Sequence, residues 1–359
     1  MKKRYTFKLL VLILLITGSV EKVLCVEVES IKEIAGYSIS SKYGKDYFTP
    51  RFSPDGKKIV VDSDKGLVIM TSDGKNMRIL TDKTIYGYGA KWSPDGTKIA
   101  FISISESDDI LLQSINSTNI RQSKKHARSI WVINSDGTNL HGLTNGPNDL
   151  GLVWSPNGKK IAFYRFIKKY SICTINIDGS NLRRISPQGE DFSHPLFTPD
   201  GTKIICVKNW GGGSNSAIWM MNIDGTNLRE VKKEDYFSPD EGGSIWSLNK
   251  RMLWTGSDFM DITNGKIKKA ADGGLLSYDN KWIVYEEEKG IDDPEATLDS
   301  QLYIIDFYGK SKFKITDDPD MIYEAEDWSP DGKMILAMKK DNPNKPHANP
   351  RLVIIKLKY

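Results

Sequence analysis

The side chains able to do chemistry are few and scattered. Four histidines could transfer protons or ligate a metal, His126, His141, His194 and His347, and no two stand at the close spacing of a ligand pair. A hydrolase-type serine nucleophile would sit in Gly-x-Ser-x-Gly. No such stretch occurs, and Gly213-Ser214 and Gly243-Ser244 read as loop residues. Cys173 and Cys206 each lie in an apolar run, Ser171-Ile-Cys-Thr-Ile175 and Ile204-Ile-Cys-Val207, which predicts buried free thiols rather than a disulfide or a metal pair. Asp55, Asp95, Asp200 and Asp331 each stand between Pro and Gly, where an aspartate bonds its own backbone in a turn. The stretch Glu286-Glu287-Glu288 with Asp292, Asp293, Glu295 and Asp299 is a better cation candidate, but a solvated acidic loop accounts for it. These residues predict no catalytic group, no metal and no cofactor.

The elements that must carry these side chains are repeats. Phe52-Ser-Pro-Asp-Gly-Lys-Lys-Ile59 returns at Trp92–Ile99, Trp154–Ile161, Phe197–Ile204 and Trp328–Ile335, with degraded copies at Trp246–Leu253 and Leu276–Ile283. Pro presets φ in such a turn, Asp or Asn bonds the backbone, and Gly supplies a positive φ; Asn280 suits the Gly position, whereas Lys250 does so poorly. A second hairpin follows in each repeat, as in Ser129-Ile-Trp-Val-Ile-Asn-Ser-Asp-Gly137 leading into Leu140–Thr144. Two hairpins per repeat make a four-stranded antiparallel blade. The aromatic positions 52, 92, 154, 197, 246, 276 and 328 are spaced around the propeller period, with insertions at 103–128 and 286–300. The pattern predicts an all-β single β-propeller of seven blades, with six as the alternative should the fifth unit merge into a neighbour. The last repeat ends after its third strand, Leu352–Leu357, so residues 30–35 are expected to supply its fourth and close the ring.

The Trp/Phe-Ser-Pro-Asp-Gly units, each followed by Ile-Tyr/Trp-x-Ile-Asn-x-Asp-Gly, resemble the repeats of the TolB-type propeller family over roughly residues 37–357. The resemblance implies a propeller and a scaffold role in the cell envelope. Such repeats also occur in propellers attached to prolyl oligopeptidase-like enzymes and in oligogalacturonate lyases. The TolB-type pattern includes an α/β domain before a six-bladed ring, whereas only residues 26–36 separate the leader from the first unit here.

Residues 1–25 read as a signal peptide: Lys2, Lys3, Arg4 and Lys8 precede the apolar run Leu9–Ile16, and small residues follow. Cleavage is expected after Ser19 or Cys25, with Cys25 a candidate for lipidation. The segment carries a net +4, as does the whole chain, so residues 26–359 are near neutral and give no nucleic-acid footprint. The expectation is a periplasmic or secreted monomer, without membrane insertion after cleavage, whose partner is another envelope protein.

In such blades the two tight turns lie at one end, and the variable loops and interblade links at the other. Function favours loops held on a rigid scaffold. Tyr86, Phe192, His194, Trp210, Tyr236 and Tyr323 fall at the variable end and are the candidate binding residues. A non-enzymatic protein-interaction scaffold is the leading expectation. The alternative is a polysaccharide-active or carbohydrate-binding propeller, with its site at the channel mouth.

Overall fold

The computed structural model describes residues 26–34, 49–63, 66–81, 86–104, 128–146, 148–209, 216–233, 245–270, 273–289, 299–319, 321–341 and 350–359. The leader 1–25, Trp210, Tyr236, His126 and His347 lie outside the described residues, as does the side chain of Tyr86. Among the described residues every regular element is a strand.

One hydrogen-bond circuit builds each first hairpin. Ser53 Oγ donates to Asp55 Oδ1 at 2.6 Å, that oxygen accepts from Lys57 N at 3.1 Å, and Lys58 N donates to Ser53 Oγ at 2.9 Å. The circuit recurs at Ser93–Asp95, Ser155–Asn157, Thr198–Asp200 and Ser329–Asp331. It persists in the degraded copies, at Ser247–Asn249 and Ser277–Asp279. Pro is therefore dispensable. The circuit needs a hydroxyl, an Asx two residues on, and a left-handed fourth residue, a place that Lys250 and Asn280 fill at φ 59° and 56°.

The strands follow in chain order. β1 (Glu27–Glu33) precedes a sheet of β2 (Arg51–Phe52), β3 (Lys58–Ser63), β4 (Gly66–Thr71) and β5 (Arg78–Ile79). The next sheet has β6 (Tyr86–Trp92), β7 (Lys98–Ile104), β8 (Arg128–Asn134) and β9 (His141–Gly142). Then come β10 (Asp149–Trp154), β11 (Lys160–Phe166), β12 (Tyr170–Asn176) and β13 (Arg183–Arg184). After these, β14 (Asp191–Phe197), β15 (Lys203–Asn209), β16 (Ser216–Asn222) and β17 (Arg229–Lys233) form a sheet. A three-stranded sheet holds β18 (Met252–Trp254), β19 (Asp258–Asp261) and β20 (Ile267–Lys269), and Trp246, bridged to Leu253, stands where its sisters have a first strand. The remaining strands are β21 (Leu275–Leu276), β22 (Trp282–Lys289), β23 (Asp299–Asp306), β24 (Lys312–Lys314), β25 (Met321–Trp328), β26 (Met334–Asp341) and β27 (Arg351–Lys358). With β1 they make one eight-stranded sheet, in which β23 and β25 meet through the single parallel pair Ser300↔Ile322. These sheets are antiparallel meanders of the propeller-blade kind.

First strands are buried and fourth strands exposed: β2 is wholly buried, whereas β5 and β13 are open to solvent. β1 pairs antiparallel with β27, from Glu27↔Lys358 to Glu33↔Val353, and Ile34 N donates to Leu352 O at 3.0 Å. The paired strand thus begins three residues before the expected 30–35.

The core lies between consecutive sheets. Ile99 and Phe101 pack on Val60 and Ile69, and Phe163 and Ile175 on Ile130 and Val132. Ile59, Val61 and Val68 pack in turn on Leu336, Leu352 and Ile354 of β26 and β27. Each fully buried side chain of this kind contributes about 1.5–3 kcal/mol. Cys173 and Cys206 are buried free thiols in this core, and burial pushes the Cys173 thiol up to about 11. Indole donors tie the first strands together: Trp92 Nε1 to Arg51 O at 3.2 Å, Trp154 Nε1 to Lys91 O at 3.0 Å and Trp328 Nε1 to Leu275 O at 2.8 Å.

Candidate functional site

Four first strands carry a bulge before the aromatic that ends them. Register shifts fall between Tyr88 and Lys91, Leu150 and Val153, Ser193 and Leu196, and Ala325 and Asp327. A bulge re-aims side chains and recurs beside functional sites. At the third residue before the aromatic, β6 and β10 have Gly89 and Gly151, at φ 63° and 53°. β14 has His194 in the same left-handed conformation, at φ 51°. An L-residue there is strained, and such strain collects at functional positions.

A side chain from the second strand of the preceding sheet covers each of three bulges. Asp62 Oδ2 accepts from Gly89 N at 2.9 Å, and Glu286 Oε1 accepts from Ala325 N at 2.9 Å. At the same strand position Tyr164 meets His194, with ring centroids 5.3 Å apart. Tyr164 can lie there because Gly151 has no Cβ; one added would stand 2.2 Å from Tyr164 Cε1. Tyr170 packs edge-on against Tyr164 at 5.1 Å. His194 Nδ1 lies 2.9 Å from Ser193 Oγ, which also accepts from Asn209 Nδ2 at 3.1 Å. The result is an imidazole held between an aromatic wall and a hydroxyl–amide pair, a group able to bind a carboxylate when protonated or to take a proton when neutral.

Lysines and acids share this end of the sheets, where Asp191 Oδ1 accepts from Tyr170 N at 3.1 Å. Lys168 and Lys169 are exposed in the short β11–β12 turn, and Lys232 and Lys233 end β17 at the same end of the sheets. Lys208 pairs with Glu190 and lies 4.8 Å from the Trp219 ring centroid. Arg165 grips the buried Asp149 through two bonds, of 2.6 and 2.9 Å.

The other predicted anchors are distributed differently. Phe192 and Tyr323 are fully buried, so neither is a surface anchor. Phe192 packs against Trp219 beneath the Lys208 stem, and the Tyr323 hydroxyl donates to Asp318 beside Lys339. The reason is packing: Phe192 and Tyr323 each lie in an apolar cluster shared with neighbouring strands, although interblade links flank them. Tyr86 opens β6. His141 lies in the outer strand β9, with Nδ1 2.9 Å from Asn139 O. Only His194 among the described candidates thus joins a cluster with chemical potential.

Sequence reasoning missed a second polar group on the first strands. Arg51 Nη1 donates to Glu326 O at 2.6 Å, and Phe52 N donates to Asp327 Oδ2 at 2.9 Å. Burial, opposed by Gly89 N–H and by the Arg51 charge, pushes the Asp62 carboxyl up to about 8. Glu326 also rises to about 8, mainly through burial. No sequence signal marked these, since they fall outside the turn motif, at positions whose residue type changes from repeat to repeat. Among the described residues no three His, Cys, Asp or Glu gather as metal ligands.

No family model matches the chain. It is 32% identical over 168 residues to a tricorn protease homolog of Saccharolobus solfataricus, covering 45% of this chain and 13% of that protein. It is 24% identical over 203 residues to an oligogalacturonate lyase of Dickeya dadantii, covering 53% of this chain and 51% of the lyase. A TolB of Novosphingobium aromaticivorans matches at 38% over 73 residues, 20% of this chain and 16% of that protein. The chain therefore spans about half or less of these relatives. Among solved structures, a puromycin-hydrolyzing peptidase of Mycobacterium tuberculosis superposes with a TM-score of 0.56 at 14% identity, over 83% of this chain and 50% of the peptidase. The likeness to TolB-like propellers is supported at low identity. The expectation of a chain without catalysis is overturned, because these relatives include a lyase and a protease homolog. Motif-free loops misled that reading, since a propeller site can be assembled from isolated residues on separate strands.

Proposed function

We propose that the chain is an exported, ring-closed propeller of seven blades that takes an acidic oligosaccharide at the bulged ends of its first strands, with His194 as the central contact. The strained imidazole carries this reading. Left-handed histidine at a position filled by glycine in two sister strands is retained against a backbone preference, and Tyr164, Ser193 and Asn209 orient it. The tyrosine wall suits the apolar face of a sugar ring, and the lysines around it suit uronate carboxylates. The match to an oligogalacturonate lyase over half of each chain supports that ligand class. In turnover, the neutral imidazole would take the proton α to a uronate carboxylate, while the glycosidic oxygen on the β carbon leaves with its bonding pair and takes a proton from water, giving the unsaturated product.

Contacts between consecutive turns support the ring. A Cβ added at Gly96, Gly158 or Gly201 would stand 3.6, 3.8 or 3.5 Å from Cδ of Pro54, Pro94 or Pro156. The same contact joins the last turn to the first, at 3.4 Å from Gly56 to Pro330 Cδ. Export rests on the basic start and apolar run of residues 1–25.

The test is calorimetric titration with oligogalacturonates and with neutral oligomers of equal length, alongside a spectroscopic assay for unsaturated product. Wild type binds the acidic series, and His194→Gly loses at least about tenfold in affinity while keeping its fold. Equal binding by His194→Gly, or no preference for the acidic series, would refute the reading.

A further inference from the structure

At the opposite end of the sheets, the turns of the first two repeats enclose a hollow of about 280 Å³, lined by Ser53, Pro54, Asp55, Lys58, Trp92 and Pro94, with Asp95 and Gly96 completing it. We propose that this hollow is a separate ligand site that binds a single neutral sugar ring.

One substitution sets this seam apart from its sisters. In three repeats the lysine that opens the second strand lies in register with an asparagine of the third strand, Lys98↔Asn134, Lys160↔Asn176 and Lys203↔Asn222. Each ammonium donates to its asparagine Oδ1, at 2.8 Å for Lys98 and 2.9 Å for Lys203. In the first repeat the register partner of Lys58 is Thr71, whose hydroxyl serves Asp73 and Lys75 O. Lys58 is exposed where its sisters are half-buried, and it lines the hollow.

The other walls are rigid. Trp92 is half-buried and pinned by its bond to Arg51 O, so its ring is fixed before any ligand arrives. Pro54 and Pro94 stand on stiff turns. Asp55 and Asp95 each commit Oδ1 to the turn, to Ser53 and Lys57 and to Ser93 and Thr97. The turn bonds leave Oδ2 of each aspartate unused, and both residues line the hollow.

The charge pattern selects the ligand. A cation of any size meets Lys58, and an anion meets two carboxylates. A neutral polyhydroxylated ring satisfies all three groups: its hydroxyls donate to the carboxylates, its oxygens accept from the ammonium, and its C–H face rests on the indole. The volume lies at the small end of ligand pockets, which fits one ring rather than an oligomer. Nothing here depends on His194.

The experiment is saturation-transfer NMR on the full chain with methyl glucoside and methyl galactoside, against tetramethylammonium and acetate as charged probes. Thr71→Asn should restore the tie made in the sister repeats and withdraw the ammonium without touching the hollow. Lys58→Met removes the ammonium outright, and Met334 already occupies the corresponding place in the last repeat. Asp95→Asn leaves a turn like those of Asn157 and Asn249. The expected result is saturable binding of at least one neutral glycoside, weakened about tenfold or more by each variant, with neither charged probe competing. Thermal melts establish that each variant is folded. Absence of glycoside binding, binding unchanged in folded Thr71→Asn and Lys58→Met, or preferential binding of a charged probe overturns the proposal.

Discussion

His194 holds φ at 51° in a bulge whose counterparts on β6 and β10 are glycines. A left-handed L-residue costs about 1–2 kcal/mol, toward the low end for histidine. Against this stand the contact of the imidazole with Tyr164, worth ~0.5–1.5 kcal/mol, and the Ser193 hydrogen bond, worth ~0.5–1.5 kcal/mol. His194→Ala keeps the strain and loses both contacts, a loss of about 2 kcal/mol. His194→Gly loses the same contacts but relieves the strain, less ~0.5–1 kcal/mol for the flexibility of glycine. It should be destabilised by about 1.5 kcal/mol. Glycine should therefore be the more stable of the two variants, the reverse of their order in an ordinary strand. Urea unfolding of both proteins, followed by tryptophan fluorescence, measures the difference. If alanine proves more stable than glycine, the backbone at 194 is not strained, and the argument that function retains the histidine fails.

Three further outcomes follow from particular contacts. Lys250→Gly should raise stability by about 0.5–1 kcal/mol in urea unfolding, because lysine carries a left-handed turn position there, and Asn280→Gly should change it less. Trp154→Phe should lower stability by ~1 kcal/mol in the same assay, because Lys91 O loses its indole donor; no change would show that water replaces it. Asp62 and Glu326 hold protons up to about pH 8 when folded, whereas their ordinary values are 3.8 and 4.5. The folded state thus binds more protons between these limits. Stability is complete below about pH 4 and declines toward pH 8, by up to ~1.4 kcal/mol per pH unit for each group. Melts from pH 5 to 8.5 should fall in wild type and fall less steeply in Asp62→Asn, where Glu326 alone still titrates, and a flat wild-type profile would remove the buried-acid argument.

The hairpins were legible because their chemistry is local. Ser, Asx and a left-handed residue close a turn within five positions, so even Ser247-Leu248-Asn249-Lys250 could be read as a worn copy. Inter-sheet packing was legible too, through the apolar run after each turn. Burial of Phe192 and Tyr323 was not. Their neighbourhood of interblade links suggested exposure, whereas apolar side chains from neighbouring strands cover both rings.

The bulges escaped the sequence for a different reason. Gly89, Gly151, His194 and Ala325 share a place in the fold but not one residue type, and none of their covering groups, Asp62, Tyr164 and Glu286, lies within the same repeat as the bulge it covers. A repeat motif records what every unit needs in order to fold. What distinguishes one unit from the next sits at positions that the motif leaves open, and those positions are where a site can differ around the molecule. His194 stands at such a position, as does Thr71, the register partner of Lys58. The two proposed sites therefore arise by the same route. One uses a bulge that tolerates glycine but carries histidine, and the other a lysine whose usual asparagine partner is replaced by threonine. Restoring the sister residue, His194→Gly in one case and Thr71→Asn in the other, should remove ligand binding at that site and leave the blade-like architecture intact.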